Sequence, residues 1–124
     1  MATINAVNLG AGEVLTTAAW TATNSGGDVI AITKPNADLV IEFQNDAAGS
    51  VTPTIANQVD AALQSGDFGV VQKADLSAAI AAGATRAVRI PARMLQYYLN
   101  GSNQVALTYA SHDGAFKVRA LSLG

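Results

Sequence analysis

Cysteine is absent from this 124-residue chain, and histidine occurs once. Without thiols there is no disulfide framework and no thiolate metal site, and a single imidazole does not make a zinc or copper ligand set. Charge is scarce as well. Asp, Glu, Lys and Arg together make 13% of the residues, about half the share of an average soluble domain. The formal net charge is −2 and no basic run occurs, which argues against a nucleic-acid groove or an anionic-membrane patch. No apolar run approaches the roughly 20 residues that span a bilayer. The opening "MATINAVNLGAGE" has no basic region followed by an apolar core, so no secretory signal is expected there. Neither nucleic acid nor membrane is an expected partner.

Alanine, in contrast, is abundant: 25 of the 124 residues. Hydrophobic residues reach 50%, but bulky core formers are fewer than that figure suggests. The length suits one domain with a useful core. A surface short of charge and rich in Thr, Ser, Asn, Gln and Ala fits a chain covered by copies of itself or by a partner, and fits a plain neutral surface equally.

Residues 1–25 are rich in Ala, Thr, Asn and Gly with weak periodicity. They read as an extended N-terminal arm with one strand around Val14 to Thr21 and Trp20 as a core anchor, ahead of a single domain over residues 26–124. "DVIAIT" is a strand, and "KPNA" a turn bent by Pro35 and Asn36. In "DLVIEFQN" Leu39, Ile41 and Phe43 alternate with Val40, Glu42 and Gln44, the clearest half-buried strand. "VTPTIAN" alternates too, and Pro53, which lacks an N–H, places it at a sheet edge. A polar insertion follows, with a short helix near Val59 to Gln64, before "FGVVQKA" re-enters the sheet. "DLSAAIAAGATRAVRIPA" has two readings: an alanine-rich helix capped by Asp75 and Gly83, or two strands joined at Ala82-Gly83. The surrounding strands favour the second. A second short helix is expected over Ala92 to Leu99, and Asn100-Gly101 is a turn. "QVALTYA", the turn "SHDG" and "FKVRALSL" form a C-terminal hairpin.

About six to eight short strands with regular turn signals predict an all-β fold, an antiparallel β-sandwich or jelly-roll-like barrel. Its core is expected to hold Leu39, Ile41, Phe43, Leu76, Ile80, Val88, Ile90, Val105, Leu107 and Val118.

No catalytic, cofactor or metal residues emerge. His112 lies in a turn beside Asp113, and adjacent residues do not form the base–orienter geometry of a triad. Asp28, Asp38, Asp46, Asp60, Asp67, Asp75 and Asp113 are scattered, mostly where Asp caps turns. Glu42 lies mid-strand and is expected to face solvent or an Arg. "LGAG" at Leu9 to Gly12 lacks the strand–loop–helix setting of a phosphate cradle. Arg93, Met94, Tyr97 and Tyr98 cluster on the connection after Pro91. They read as core edge or, if exposed, as the candidate partner-binding spot, since Tyr and Arg are frequent in interface hot spots.

"VTPTIANQ", then "ADLSAAIAAGATRAVRIPARMLQYYLNGSNQVALTYA" and the closing "GAFKVRALSLG", resemble the head decoration, or capsid cement, proteins of tailed bacteriophages. Ala82-Gly83-Ala84-Thr85-Arg86 matches the family's turn, with Ala82 where Pro is common. Pro91-Ala92-Arg93 matches the crossover and Leu107-Thr108-Tyr109 the penultimate strand. The resemblance runs from Leu39 to Leu123 and leaves the residues before it uncovered. It implies a β-sandwich, often a homotrimer, made in the host cytoplasm. Such a protein binds the major capsid protein on the outer surface of the virion and is not an enzyme. The alternative is a carbohydrate-binding or adhesive module.

Overall fold

Across Asp38–Asn45 every second side chain is buried, the signature of a strand with one face on a core. The computed structural model describes residues 2–9, 19–58, 63–64, 70–71 and 75–123. Its elements are β1 (Thr3–Asn5), β2 (Val7–Leu9), β3 (Thr21–Ala22), β4 (Asp28–Ala31), β5 (Asp38–Asn45) and β6 (Thr52–Ile55), then β7 (Leu63–Gln64), β8 (Val70–Val71), β9 (Leu76–Ser77), β10 (Thr85–Ile90), helix α1 (Ala92–Leu95), β11 (Gln104–Ala110) and β12 (Phe116–Leu123).

Two five-stranded sheets pack face to face as an open sandwich that does not close into a barrel. The first has the order β1-β4-β11-β6-β9. The second has β10-β5-β12-β2, with β3 also pairing β12. Most pairs are antiparallel, as expected. The sheets are nevertheless mixed, because β1 runs parallel to β4 and β2 parallel to β12. The chain leaves the first sheet at Ala6, whose N–H donates to the Ala31 carbonyl at 3.2 Å, and enters the second one residue later. Residues 2–9, expected in a free arm, are thus strands of both sheets, and Ile4 is a core residue. Most of the strand expected around Val14 to Thr21 lies outside the described residues; only its end appears, in β3.

The core holds Ile30, Leu39, Ile41, Val51, Ile90, Leu95, Val105, Leu107, Phe116 and Val118, each almost inaccessible to solvent. Phe43 stacks on Phe116 at 5.6 Å between centroids, and the Tyr109 ring meets Phe116 edge-on at 5.8 Å. Of the expected core, Leu76 and Val88 are only half-buried. They sit where β9 and β10 leave the sandwich open.

The expected C-terminal hairpin does not form. β11 pairs with β4 and β6 in the first sheet, β12 with β5, β2 and β3 in the second, so the two face each other across the core. Alternation fixes which face of a strand is buried and leaves its partner open. The same holds at Gly83: Leu76–Ser77 and Thr85–Ile90 are strands, not a helix, and they belong to opposite sheets. Val70–Val71 does not rejoin the sandwich but pairs with Leu63–Gln64. Leu63 and Gln64 are therefore strand residues rather than the end of a helix, and 59–62 lie outside the described residues. Of the helix expected over Ala92 to Leu99, one turn forms, Ala92–Leu95.

Pro53 explains a gap. The Val51 N–H donates to the Ile80 carbonyl and the Val51 carbonyl accepts the Ile80 N–H in return, and residues two apart in a strand point their N–H groups the same way. The missing N–H of Pro53 therefore falls on the side of residues 78–79. There the pairing opens between the Val51–Ile80 bridge and the Thr54–Ser77 pair. β6 is next to the edge rather than at it, because short β9 covers its outer side.

Two glycines differ in what they tolerate. Gly27 has φ +97° and an added Cβ would lie 2.6 Å from the Leu107 carbonyl oxygen, whereas Gly83, at φ +77°, has open space. Gly83→Ala is expected to cost about 1–2 kcal/mol, the penalty of a left-handed L-residue, and Gly27→Ala distinctly more. Ile41→Ala and Leu107→Ala are expected to lose about 2–5 kcal/mol each. Urea unfolding of the four variants checks the glycine ordering and the size of the two core losses.

Candidate interaction surface

The two outer faces of the sandwich differ in chemistry. On the first sheet the outward rows are Thr108–Thr54–Ser77, Ala110–Thr52, Asn5–Ala31–Gln104 and Thr3–Val29–Ala106. None of these side chains is charged. The Thr54 hydroxyl donates to Ser77 Oγ at 3.3 Å, a cross-strand bond lying along the surface. Threonine suits this face because β-branched side chains fit a pleated, half-buried surface.

The second sheet carries the ion pairs. Glu42 and Arg119 stand opposite each other in register and meet at 3.1 Å, as expected for a mid-strand Glu. Lys117 reaches Asp46 at 3.4 Å, and Arg89 pairs with Asp38. Trp20, expected as a core anchor, is half-buried; the Arg119 guanidinium lies 4.1 Å from its ring centroid. Its ring packs against the sheet's charged side rather than between the sheets.

The candidate cluster after Pro91 divides. Leu95 and Tyr98, three residues apart, turn inward and are buried; Met94 and Tyr97 are half-buried against the core; Arg93 is exposed. Tyr98 is a core residue and does not belong to a partner-binding spot. Burial, and secondarily the negative charge of Asp75, push its hydroxyl pKa up.

The strongest polar constellation was not visible in the sequence. Asp28 is 1% exposed. Its carboxylate accepts from the Ala2 N–H at 3.0 Å, the Asn24 N–H at 3.1 Å, the Asn24 side-chain amide at 2.8 Å and the Tyr109 hydroxyl at 2.7 Å. Burial raises the Asp28 pKa, but these donors together outweigh it and hold the group below the usual carboxylate value. The Tyr109 hydroxyl is pushed far up by burial and by its bond to Asp28, so it stays a donor. Next to it, Thr23 Oγ1 donates to the Phe116 carbonyl at 2.7 Å and lies 2.8 Å from His112 Nε2. A hydroxyl has one proton, so His112 Nε2 carries the proton of that second bond. Both groups brace the corner between β11 and β12.

Asn45, also fully buried and opposite Phe116, does the same where β5 ends. Its side chain accepts from the Ala47 N–H at 3.0 Å and donates to the Gly49 and Ile80 carbonyls at 2.9 and 2.8 Å. Its main chain holds Gly83 and Ala84. Among the other carboxylates, Asp75 accepts from the Asn57 N–H and Asp113 from the Ala115 N–H. Asp38, beside Arg89 and the Ala92 N–H, is held low. Asp60 and Asp67 lie outside the described residues. Among the described residues no group of three His, Cys, Asp or Glu side chains is spaced to hold a metal ion.

No protein family, curated protein or solved structure matches the chain.

Because the Asp28 pKa is lower folded than unfolded, its contribution to stability is complete above about pH 4 and lost as pH falls through the folded value. Asp28→Asn is therefore expected to show a smaller loss of stability between pH 6 and pH 3 than the wild type in urea unfolding. Asp28→Ala, which strands buried donors, is expected to cost about 2–4 kcal/mol at pH 7.

Proposed function

We propose that this chain is a structural protein of a tailed-phage virion, which sits on the outer capsid surface and cements or decorates the lattice of the major capsid protein. It acts as a homotrimer, is made in the host cytoplasm and performs no catalysis. The observation that carries this reading is the uncharged row of outward side chains on the first sheet. A surface of Thr, Ala, Ser and Asn can be covered by a protein lattice without stranding ions, whose burial is costly unless they are paired. Its hydroxyls and amides supply the polar contacts typical of such interfaces. Many copies of a modest contact gain avidity from the symmetry of a shell. The resemblance running from Leu39 to Leu123 points the same way.

A carbohydrate-binding module would present aromatic rings on an open face. Among the described residues Phe43, Phe116 and Tyr98 are buried, Tyr109 turns inward to Asp28, and Trp20 and Tyr97 are half-buried. That favours the capsid reading. The imidazole of His112 and the carboxylate of Asp28 are both committed to internal bracing, which supports a non-catalytic role.

The test is cosedimentation with undecorated, expanded phage heads across a salt series, with the free protein's mass measured in solution. Saturable binding at a fixed ratio to capsid subunits is expected, with modest weakening by salt because few charges are available to screen. Thr108 is exposed at the centre of the uncharged face. Thr108→Glu is expected to weaken binding about tenfold or more, the effect of roughly 1.4 kcal/mol from a desolvated, unpaired charge. Absence of head binding, or a monomer that binds a sugar, would favour the alternative.

A further inference from the structure

Among the described residues, no backbone ladder joins β9 to β10. Between β9, the edge of the first sheet, and β10, the edge of the second, runs a groove of about 350 Å³. Phe43, Pro53, Ile55, Ile80 and Val88 supply apolar lining, and Arg86 stands among them. β10 pairs with β5 alone. The Ala84 carbonyl accepts from the Asn45 N–H, which sets the parity of the ladder: Arg86, Val88 and Ile90 turn their main-chain groups toward β5. Those of Thr85, Ala87 and Arg89 turn outward, with no backbone partner among the described residues.

Three features therefore coincide along one line: a row of outward N–H and C=O groups with no backbone partner among the described residues, an apolar groove beside it, and a cation. The side chains of Arg86 and Val88 alternate onto the groove side, while the charge of Arg89 is already neutralised by Asp38. Arg86 is exposed; its one hydrogen-bond partner is the carbonyl of Thr85, and it meets no carboxylate among the described residues.

We propose that β10 and its groove bind an extended segment of another protein, which adds a strand to the second sheet with an acidic side chain opposite Arg86 and an apolar one opposite Val88. Strand addition draws affinity from main-chain bonds and specificity from alternate side-chain pockets. Charge decides the occupant. Pairing β10 with β10 of a second copy would bring two Arg86 side chains to one seam, and an inward-pointing charge on an edge strand is a known guard against such self-pairing. A carboxylate in the incoming strand turns that guard into a contact. This site lies on a different part of the molecule from the uncharged face and does not depend on the capsid reading.

The test uses the full chain and two fluorescent peptides, capped at both ends: Asp-Thr-Val-Thr-Leu-Thr and the same sequence with Lys in place of Asp. Anisotropy titration is expected to show saturable binding of the acidic peptide below about 1 mM. In two-dimensional amide spectra the shifts are expected to centre on residues 84–90 and 76–80. Arg86→Glu, at an exposed position, is expected to keep the thermal unfolding midpoint. It is also expected to reverse the preference between the peptides, each changing about fivefold, the upper end for an exposed ion pair. Indifference to the charge swap, shifts centred elsewhere, absence of binding by either peptide, or concentration-dependent dimerisation through β10 would overturn the proposal.

Discussion

Within the two sheets, no strand pairs with the strand directly before or after it in the chain. From β3 onward the chain steps from one sheet to the other at almost every connection, only β6 and β9 sharing a sheet in succession. Every ladder of the sandwich is therefore closed between distant segments, and loop-closure entropy must be met before any pairing forms. What makes this workable is the set of buried polar groups at the corners. Asp28 ties the start of the chain and the turn at Asn24 to Tyr109, 81 residues away. Asn45 ties the end of β5 to Ile80 and to the Gly83 turn. Each satisfies main-chain groups that a corner would otherwise leave without partners, the condition for burying irregular backbone at all.

The all-β class, the burial faces of β5, β11 and β12 and the strand reading around Gly83 were legible because alternation is a local property of a strand. Partners were not legible. "QVALTYA-SHDG-FKVRALSL" has all the marks of a hairpin, yet its two strands face each other across the core, and nothing within those residues distinguishes the two outcomes. Pro53 carried a real signal, since its missing N–H coincides with a break in pairing, but the short β9 beyond it left too little pattern to reveal the outer strand. Trp20 was placed in the core on hydrophobicity alone, whereas its ring offers a face to Arg119. Asp28 read as one more turn-capping Asp, because its strongest partner is supplied by a strand far along the chain. Tyr98 shows the same limit for the candidate site: an aromatic–basic cluster in sequence becomes one exposed Arg, two half-buried side chains and one core residue.

The same topology produces both candidate surfaces. The N-terminal segment crosses from sheet to sheet along one side and laces it shut. On the opposite side, among the described residues, the Gly83 turn and the Asn45 side chain join the sheets and leave a groove between β9 and β10. Meanwhile the ion pairs gather on the outside of the second sheet, where β5 and β12 lie in register, and leave the outside of the first to threonine and alanine. Among the described residues, the neutral face and the open strand edge are the two surfaces that the proposed contacts would use.

Both surfaces depend on β11 and β12 lying in opposite sheets, and nuclear Overhauser contacts between backbone protons of the isotopically labelled protein measure that directly. The account predicts cross-strand contacts between Thr108 and Thr54 and between Arg119 and Glu42. Contacts pairing Thr108 and Tyr109 with Lys117 and Val118, as in a hairpin, would contradict it.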